Sequence, residues 1–155
     1  MFAVVKNNQV VYTLQPGQQL FVDGVDYGFN WLTALDTARL AQLGVQEVVN
    51  TPMPDQQYYW VSSTVEVVDG VATWVHATTP KDLAELKQQA IANAKASANQ
   101  QLQQTDWTVI RKFERNVDIP LEVAAARQAI VDQCTAKEVA ILASTTVEEL
   151  IQAVQ

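Results

Sequence analysis

Along this 155-residue chain the spacing of apolar residues changes once, near Thr78. Before that point apolar residues tend to recur at every second position, the period of a strand with one face buried. After it they recur every three to four positions, the period of a helix. A run of strands followed by a run of helices predicts an α+β fold. The expected architecture is an N-terminal antiparallel β-rich unit with one short helix, then an all-helical unit with one long helix and several shorter helices. The boundary falls at HATTP, giving a β-rich docking domain over 1–77 and a helical domain over 79–155.

Turn chemistry sets the strands of the first half. AVVK and VVYTL flank Asn7-Asn8-Gln9, residues that tolerate left-handed backbone and so signal a hairpin. Pro16-Gly17 marks a turn, and FVDGVDYGF around Asp23-Gly24 reads as a second short hairpin or an irregular strand. After Asn30-Trp31-Leu32 comes a short helix capped by Asp36 and stopped by Gly44. VQEVV resumes the strand pattern until Pro52 and Pro54 end it. YYWVSSTVEVV and VATWVHA flank Asp69-Gly70, the strongest hairpin signal in the chain.

Thr79-Pro80-Lys81-Asp82 reads as a helix start, with hydroxyl at the N-cap, proline at the first helical position and an acid two further on. The stripe Leu83, Leu86, Ala90, Ala94, Ala98 and Leu102 is narrow and mostly alanine, with glutamine and asparagine on the other faces. Such a helix, about 30 Å long, has too little apolar surface to be the core of an isolated globule and predicts a projecting or self-associating arm. TDWTVIRKFERN predicts a helix capped by Thr105. Another helix starts at Pro120, with Val123, Ala126, Ile130, Val131 and Cys134 on its apolar side. Thr135-Ala-Lys-Glu138 and Thr146-Val-Glu-Glu149 both spell capping boxes, which splits the remainder into two short helices.

A net charge of −7 opposes broad contact with nucleic acid or an anionic membrane, because phosphate contacts need clustered Lys and Arg. Arg111, Lys112 and Arg115 form the one basic local group, but Glu114 and Asp118 lie among them, which suits a solvated face better than a phosphate track. MFAVVKNNQVVYTL lacks the apolar core of a signal peptide, and no run approaches the roughly eighteen apolar residues of a membrane span.

Catalytic and metal chemistry find little to use. His76 is the only histidine and Cys134 the only cysteine, so a disulfide framework and a CxxC motif are both impossible. Cys134 falls on an apolar helix face, where a buried structural thiol is expected. Asp23 and Asp26 are placed for turn chemistry more than for calcium, and Glu148-Glu149 complement a helix dipole. No cofactor and no metal are expected. Tyr58, Tyr59, Trp60 and Trp74 form an aromatic group on two hairpin strands, where alternation would put Tyr58 and Trp60 on one face. Core packing and a carbohydrate-binding surface are its two readings.

The order TDW, VIRK, IP, EVAAARQAI and finally TTVEEL resembles small tail proteins of tailed bacteriophages encoded beside tail-fibre genes. MFAVVKNNQVV, QPG, FVDGVDY, NWL and the short helix ending in LGV extend the resemblance over nearly the full chain. The matching residues are Thr105, Asp106, Trp107, Arg111, Lys112, Ile119 and Pro120 in the second half, with Asn30, Trp31 and Gly44 in the first. Such proteins are tail-fibre proteins, fibre-associated proteins or fibre assembly chaperones, with no shared catalytic site. Unlike fibre shafts and receptor-binding tips, this chain has no triple-helical repeat, β-prism repetition or His-x-His motif.

The resemblance implies a non-enzymatic structural component of a phage tail, attached at the fibre or baseplate and acting through protein contacts. It would be made in the host cytoplasm and would belong to the virion tail. The alternatives are a fibre assembly chaperone that leaves before maturation and a carbohydrate-binding module at the fibre end. Expected partners are tail-fibre or baseplate proteins and further copies in a homo- or hetero-oligomer, with neither nucleic acid nor membrane involved. The contact candidates are Trp60 and Trp74 on the hairpin, and Leu83, Leu86, Ile91 and Leu102 on the long helix. Trp107, Ile110 and Phe113 are read as docking residues that join the long helix to the one beginning at Pro120.

Overall fold

The computed structural model describes Met1–Gln155 and has an α+β fold, antiparallel strands with two very short helices first and helices alone thereafter. The chain divides into two compact units, Met1–Thr79 and Pro80–Gln155.

In the first unit, β1 (Phe2–Lys6) and β2 (Gln9–Leu14) form a hairpin. Asn7 and Asn8 take φ of 50° and 61°, the left-handed pair that a twisted two-residue turn requires. β1 also pairs antiparallel with β5 (Val45–Glu47), which makes it the middle of a β2-β1-β5 sheet. β3 (Phe21–Val22) and β4 (Val25–Asp26) form the small hairpin around Asp23-Gly24. α1 (Trp31–Ala34) is a single turn, and α2 (Thr37–Gln42) is capped by the Asp36 carboxylate, which accepts from the Arg39 amide at 2.7 Å.

Because successive strand residues point to opposite faces, β1 contributes to two cores. Val4 joins Leu14, Leu20, Val22, Trp31, Leu43 and Val45 on one side. Trp31 is fully buried there, with Phe2 edge-on at 5.2 Å and its indole N–H donated to the Gln18 carbonyl at 2.8 Å. Ala3 faces the other way and packs with Val48 and Ala72. Ala72 belongs to β7 (Val71–Pro80), which pairs with β6 (Tyr59–Val68). The segment after β5 binds this second hairpin: Val49 donates to Ala72 at 2.9 Å and accepts from Trp74 at 3.0 Å. The Gln46 side chain completes the junction, accepting from the Ala72 amide and donating to the Gly70 carbonyl.

The expected helix start at Thr79 and Pro80 is corrected by three residues. Strand β7 runs through Pro80, and α3 (Leu83–Gln103) begins after Asp82, whose carboxylate accepts from the Glu85 amide at 2.9 Å. A proline lacks the N–H that both a strand's last residue and a helix's first residue can do without, so Pro80 suits either role. The better-placed carboxylate at Asp82 decides.

The second unit contains two long helices where one was expected. After α3 and α4 (Asp106–Arg115), α5 (Leu121–Ala143) runs 23 residues unbroken, and α6 (Val147–Val154) ends the unit. Pro120 sits at the N-cap of α5, one residue before its first helical position. Thr135 does not split the helix, because its hydroxyl donates to the Val131 carbonyl one turn back at 2.9 Å and offers no cap. At Thr146 the capping box forms: Thr146 accepts from the Glu149 amide at 3.2 Å while Glu149 reaches back to the amide and hydroxyl of Thr145.

The projecting arm is likewise corrected. The covered side of α3 is the alanine-rich stripe, and α3 packs against α5 and, at its start, α6. Small side chains let two helix backbones approach, so the stripe that looked too weak for a core suffices for a helical pair. Facing it, α5 turns inward Val123, Arg127, Ile130, Cys134, Glu138 and Ile141, whereas Ala126 and Val131, expected on the apolar side, are exposed. Leu86, Ile141, Val147 and Leu150 are the buried aliphatic residues of the three packed helices.

Candidate protein-contact surface

The segment α4 is built from its ends inward. Thr105 holds the N-cap position without capping: its hydroxyl donates to the Leu102 carbonyl at 3.1 Å and accepts from Arg127 Nη1 at 2.7 Å. Asn116 closes the helix in left-handed conformation, with φ of 52° and its amide donated to Lys112 at 3.0 Å. Between these ends only Thr108 is buried, its hydroxyl bonded to the Thr105 carbonyl at 2.6 Å.

With about 100° of rotation per residue, Lys112 and Arg115 share the Thr108 side, while Ile110 and Phe113 point the opposite way. Trp107, Ile110 and Phe113 are 58%, 55% and 92% exposed, and Val109 beside them is exposed too. The helix is amphipathic, but its own chain buries only Thr108 and half-buries Asp106; Arg111, Lys112, Glu114 and Arg115 are exposed along with the apolar side. This corrects the reading of these residues as an internal joint. The joint between α3, α4 and α5 is polar, made by Arg127, and the three large side chains form a ridge on the surface. Of the basic group, Lys112 pairs with Asp118 at 3.0 Å.

The other contact candidates separate. Leu86 is buried and Leu83, Ile91 and Leu102 are half-buried within their own unit, so the long-helix stripe is occupied by α5 and α6. Trp60 is 67% exposed on β6, whereas Trp74 is half-buried against the Ala3, Val48 and Ala72 core, its ring stacked on His76 at 6.5 Å. Tyr58 is buried and does not share a face with Trp60. It lies before β6, in a turn where the amides of Tyr58 and Tyr59 both donate to the Asp55 carbonyl, and strand alternation does not apply to it.

His76 has a partner that the sequence reading missed. Its Nδ1 lies 2.8 Å from the Ser63 hydroxyl, and Nε2 lies 3.4 Å from the Thr51 carbonyl. Counting outward equally from the Asp69-Gly70 turn would have found Ser63. The ring is bonded to a hydroxyl and a main-chain carbonyl, without the carboxylate that orients the base of a nucleophilic triad. Asp26 accepts from the Gly28 amide at 2.7 Å and from Gln19, which is turn chemistry, whereas the Asp23 carboxylate pairs with Lys6 seventeen residues away. Cys134 lies half-buried beside α3, on the wall of a groove that also holds the Lys95–Glu138 ion pair. The hydrogen bond to Glu138, and then its charge, hold Lys95 above the usual lysine value.

The outward ridge of α4 is therefore the surface with the clearest demand for a partner, since large apolar side chains grouped on a surface mark contact sites. Neither a protein-family model, nor a curated protein, nor a solved structure matches this chain.

Proposed function

We propose that this protein is a non-enzymatic structural component of a bacteriophage tail, attached at the tail fibre or baseplate and docking through the α4 ridge. The supporting observation is the uncovered apolar side of an amphipathic helix: Trp107, Ile110 and Phe113 face outward from α4, whose start Arg127 anchors through Thr105 and Asp106. Burying one such side chain against a partner is worth about 1.5–3 kcal/mol, and aromatic anchors of this kind dominate protein interfaces. The resemblance of TDW, VIRK and IP to small phage tail proteins supplies the setting, and the ridge lies within that same stretch.

The same ridge would serve an assembly chaperone that binds the fibre protein and departs. Mass spectrometry of purified virions of the phage encoding this chain separates the two. Its presence in washed particles is the result expected. Its absence from particles, with recovery bound to fibre protein in infected cells, would replace the structural reading with the chaperone reading, and absence from both would end both.

A further inference from the structure

A second surface, independent of α4, lies on the long helices. Leu121, Val131, Val139 and Leu142 of α5 are exposed although they are aliphatic, and the helical rotation of about 100° per residue brings them to one side together with Ala124, Gln128 and Thr135. Successive members are separated by three or four residues, the spacing of a helix–helix seam. This stripe lies roughly a quarter-turn from the face that α5 gives to α3. On the far side of that inward face Lys137 bonds the Val154 carbonyl of α6 at 3.0 Å, so α6 does not cover the stripe. On the near side runs a groove of about 500 Å³, with Ala98, Asn99 and Leu102 on one wall and Val131, Cys134 and Thr135 on the other.

Reversal of the stripe reproduces it. If two α5 helices lie antiparallel with a two-fold axis beside Val131, Leu121 meets Leu142, Ala124 meets Val139 and Gln128 meets Thr135. These pairings set leucine against leucine, a small side chain against a larger one, and an amide against a hydroxyl. An interface with two-fold symmetry requires this self-complementarity. Charge favours the same occupant. The helical unit holds eight of the ten basic residues and ten of the seventeen acidic ones, while the β unit holds two basic and seven acidic. Copies that meet through their helical units thus avoid the strongest like-charge repulsion, and the groove itself offers one cation, Lys95, and one anion, Glu138.

We infer that this face binds a second copy of the chain, with antiparallel α5 helices crossing at Val131 and each α3–α5 pair contributing half of a four-helix arrangement. The inference does not rest on the phage-tail reading and survives that reading's failure.

Sedimentation equilibrium of the full chain tests it. A dimer is expected. Val131→Glu, which sets two carboxylates together at the axis, should weaken it at least about 100-fold with unchanged far-UV circular dichroism. In a Cys134→Ser background, Val131→Cys should form a disulfide between copies on mild oxidation, whereas Val139→Cys should not, because the residue opposite it is Ala124 and a disulfide needs adjacent Cα positions. A monomer at every concentration overturns the proposal, as does a dimer that Phe113→Ser dissolves and Val131→Glu leaves intact. Efficient cross-linking through Val139→Cys overturns the antiparallel arrangement. Should Val131→Glu fail to fold, the two cysteine variants decide.

Discussion

Arg127 on α5 donates from Nη2 to the Asp106 carboxylate at 2.9 Å, while its Nη1 donates to the Leu102 carbonyl at 2.8 Å and the Thr105 hydroxyl at 2.7 Å. One planar guanidinium therefore holds the end of α3 and the start of α4 against α5. Only a fork with several fixed donors can reach a carboxylate, a hydroxyl and a main-chain carbonyl from one position. Arg127→Ala should destabilise the helical unit by about 2–3 kcal/mol, and Arg127→Lys should recover less than half of that. Urea unfolding followed by far-UV circular dichroism measures both, and full recovery by lysine would show that charge alone suffices.

Gly44 ends α2 and starts β5 with φ of 77°, and a Cβ there would lie 2.1 Å from the Val5 carbonyl oxygen. The approach is used: the Gly44 carbonyl accepts from the Val5 amide at 2.8 Å, at the place where the β1–β2 register shifts between Val4 and Val5. Gly44→Ala must either move β1 or abandon that bond, besides the strain of a left-handed alanine. A loss of at least about 2 kcal/mol in the β unit is expected, while Gly17→Ala, with open space around it, should cost about 1 kcal/mol. Thermal unfolding of the two variants compares them directly.

The start of α6 confers a pH dependence. The amide and then the hydroxyl of Thr145 donate to the Glu149 carboxylate and hold it below the ordinary value of 4.5. A depressed folded value means that the contribution is complete above the unfolded value and is lost as the pH falls through the folded one. Glu149→Gln should lower the melting temperature at neutral pH and shrink the acid-side decline of stability below about pH 4.5. Melting curves across that range read it, and an unchanged acid limb would remove Glu149 from the capping role. Thr146→Ala should cost about 1 kcal/mol through the lost cap.

The α4 ridge makes an opposite prediction. Since Phe113 and Ile110 project into solvent, Phe113→Ser and Ile110→Ser should change stability by no more than about 0.5 kcal/mol. They should nonetheless reduce binding of a hydrophobic fluorescent dye and retention on a hydrophobic column. A large loss of stability would mean that the ridge is packed after all.

Thr135 and Thr146 show how far local spelling reaches. Both head a Thr-x-x-Glu sequence, yet only Thr146 caps a helix. The difference lies about α5: Cys134, Glu138 and Ile141 continue its covered side past Thr135, so packing on α3 carries the helix through. The stripe of α3 was legible residue by residue, but its partner lies some forty positions further along the chain, and spacing cannot say which chain supplies it. At α4 the amphipathic pattern was equally plain, and here burial runs against it.

The sequence by itself determined the features whose energetics close within a few residues. These are the hairpin turns at Asn7-Asn8, Asp23-Gly24 and Asp69-Gly70, the caps at Asp36 and Thr146, the stop at Gly44, and the change of period that separates strands from helices. Tertiary structure decided which apolar faces found partners. Periodicity sets where side chains point relative to one another, while burial depends on the element that arrives from elsewhere. For α3 that element was α5; for α4 it was the Arg127 side chain, which holds the start of the helix through Thr105 and Asp106 and leaves Trp107, Ile110 and Phe113 facing outward.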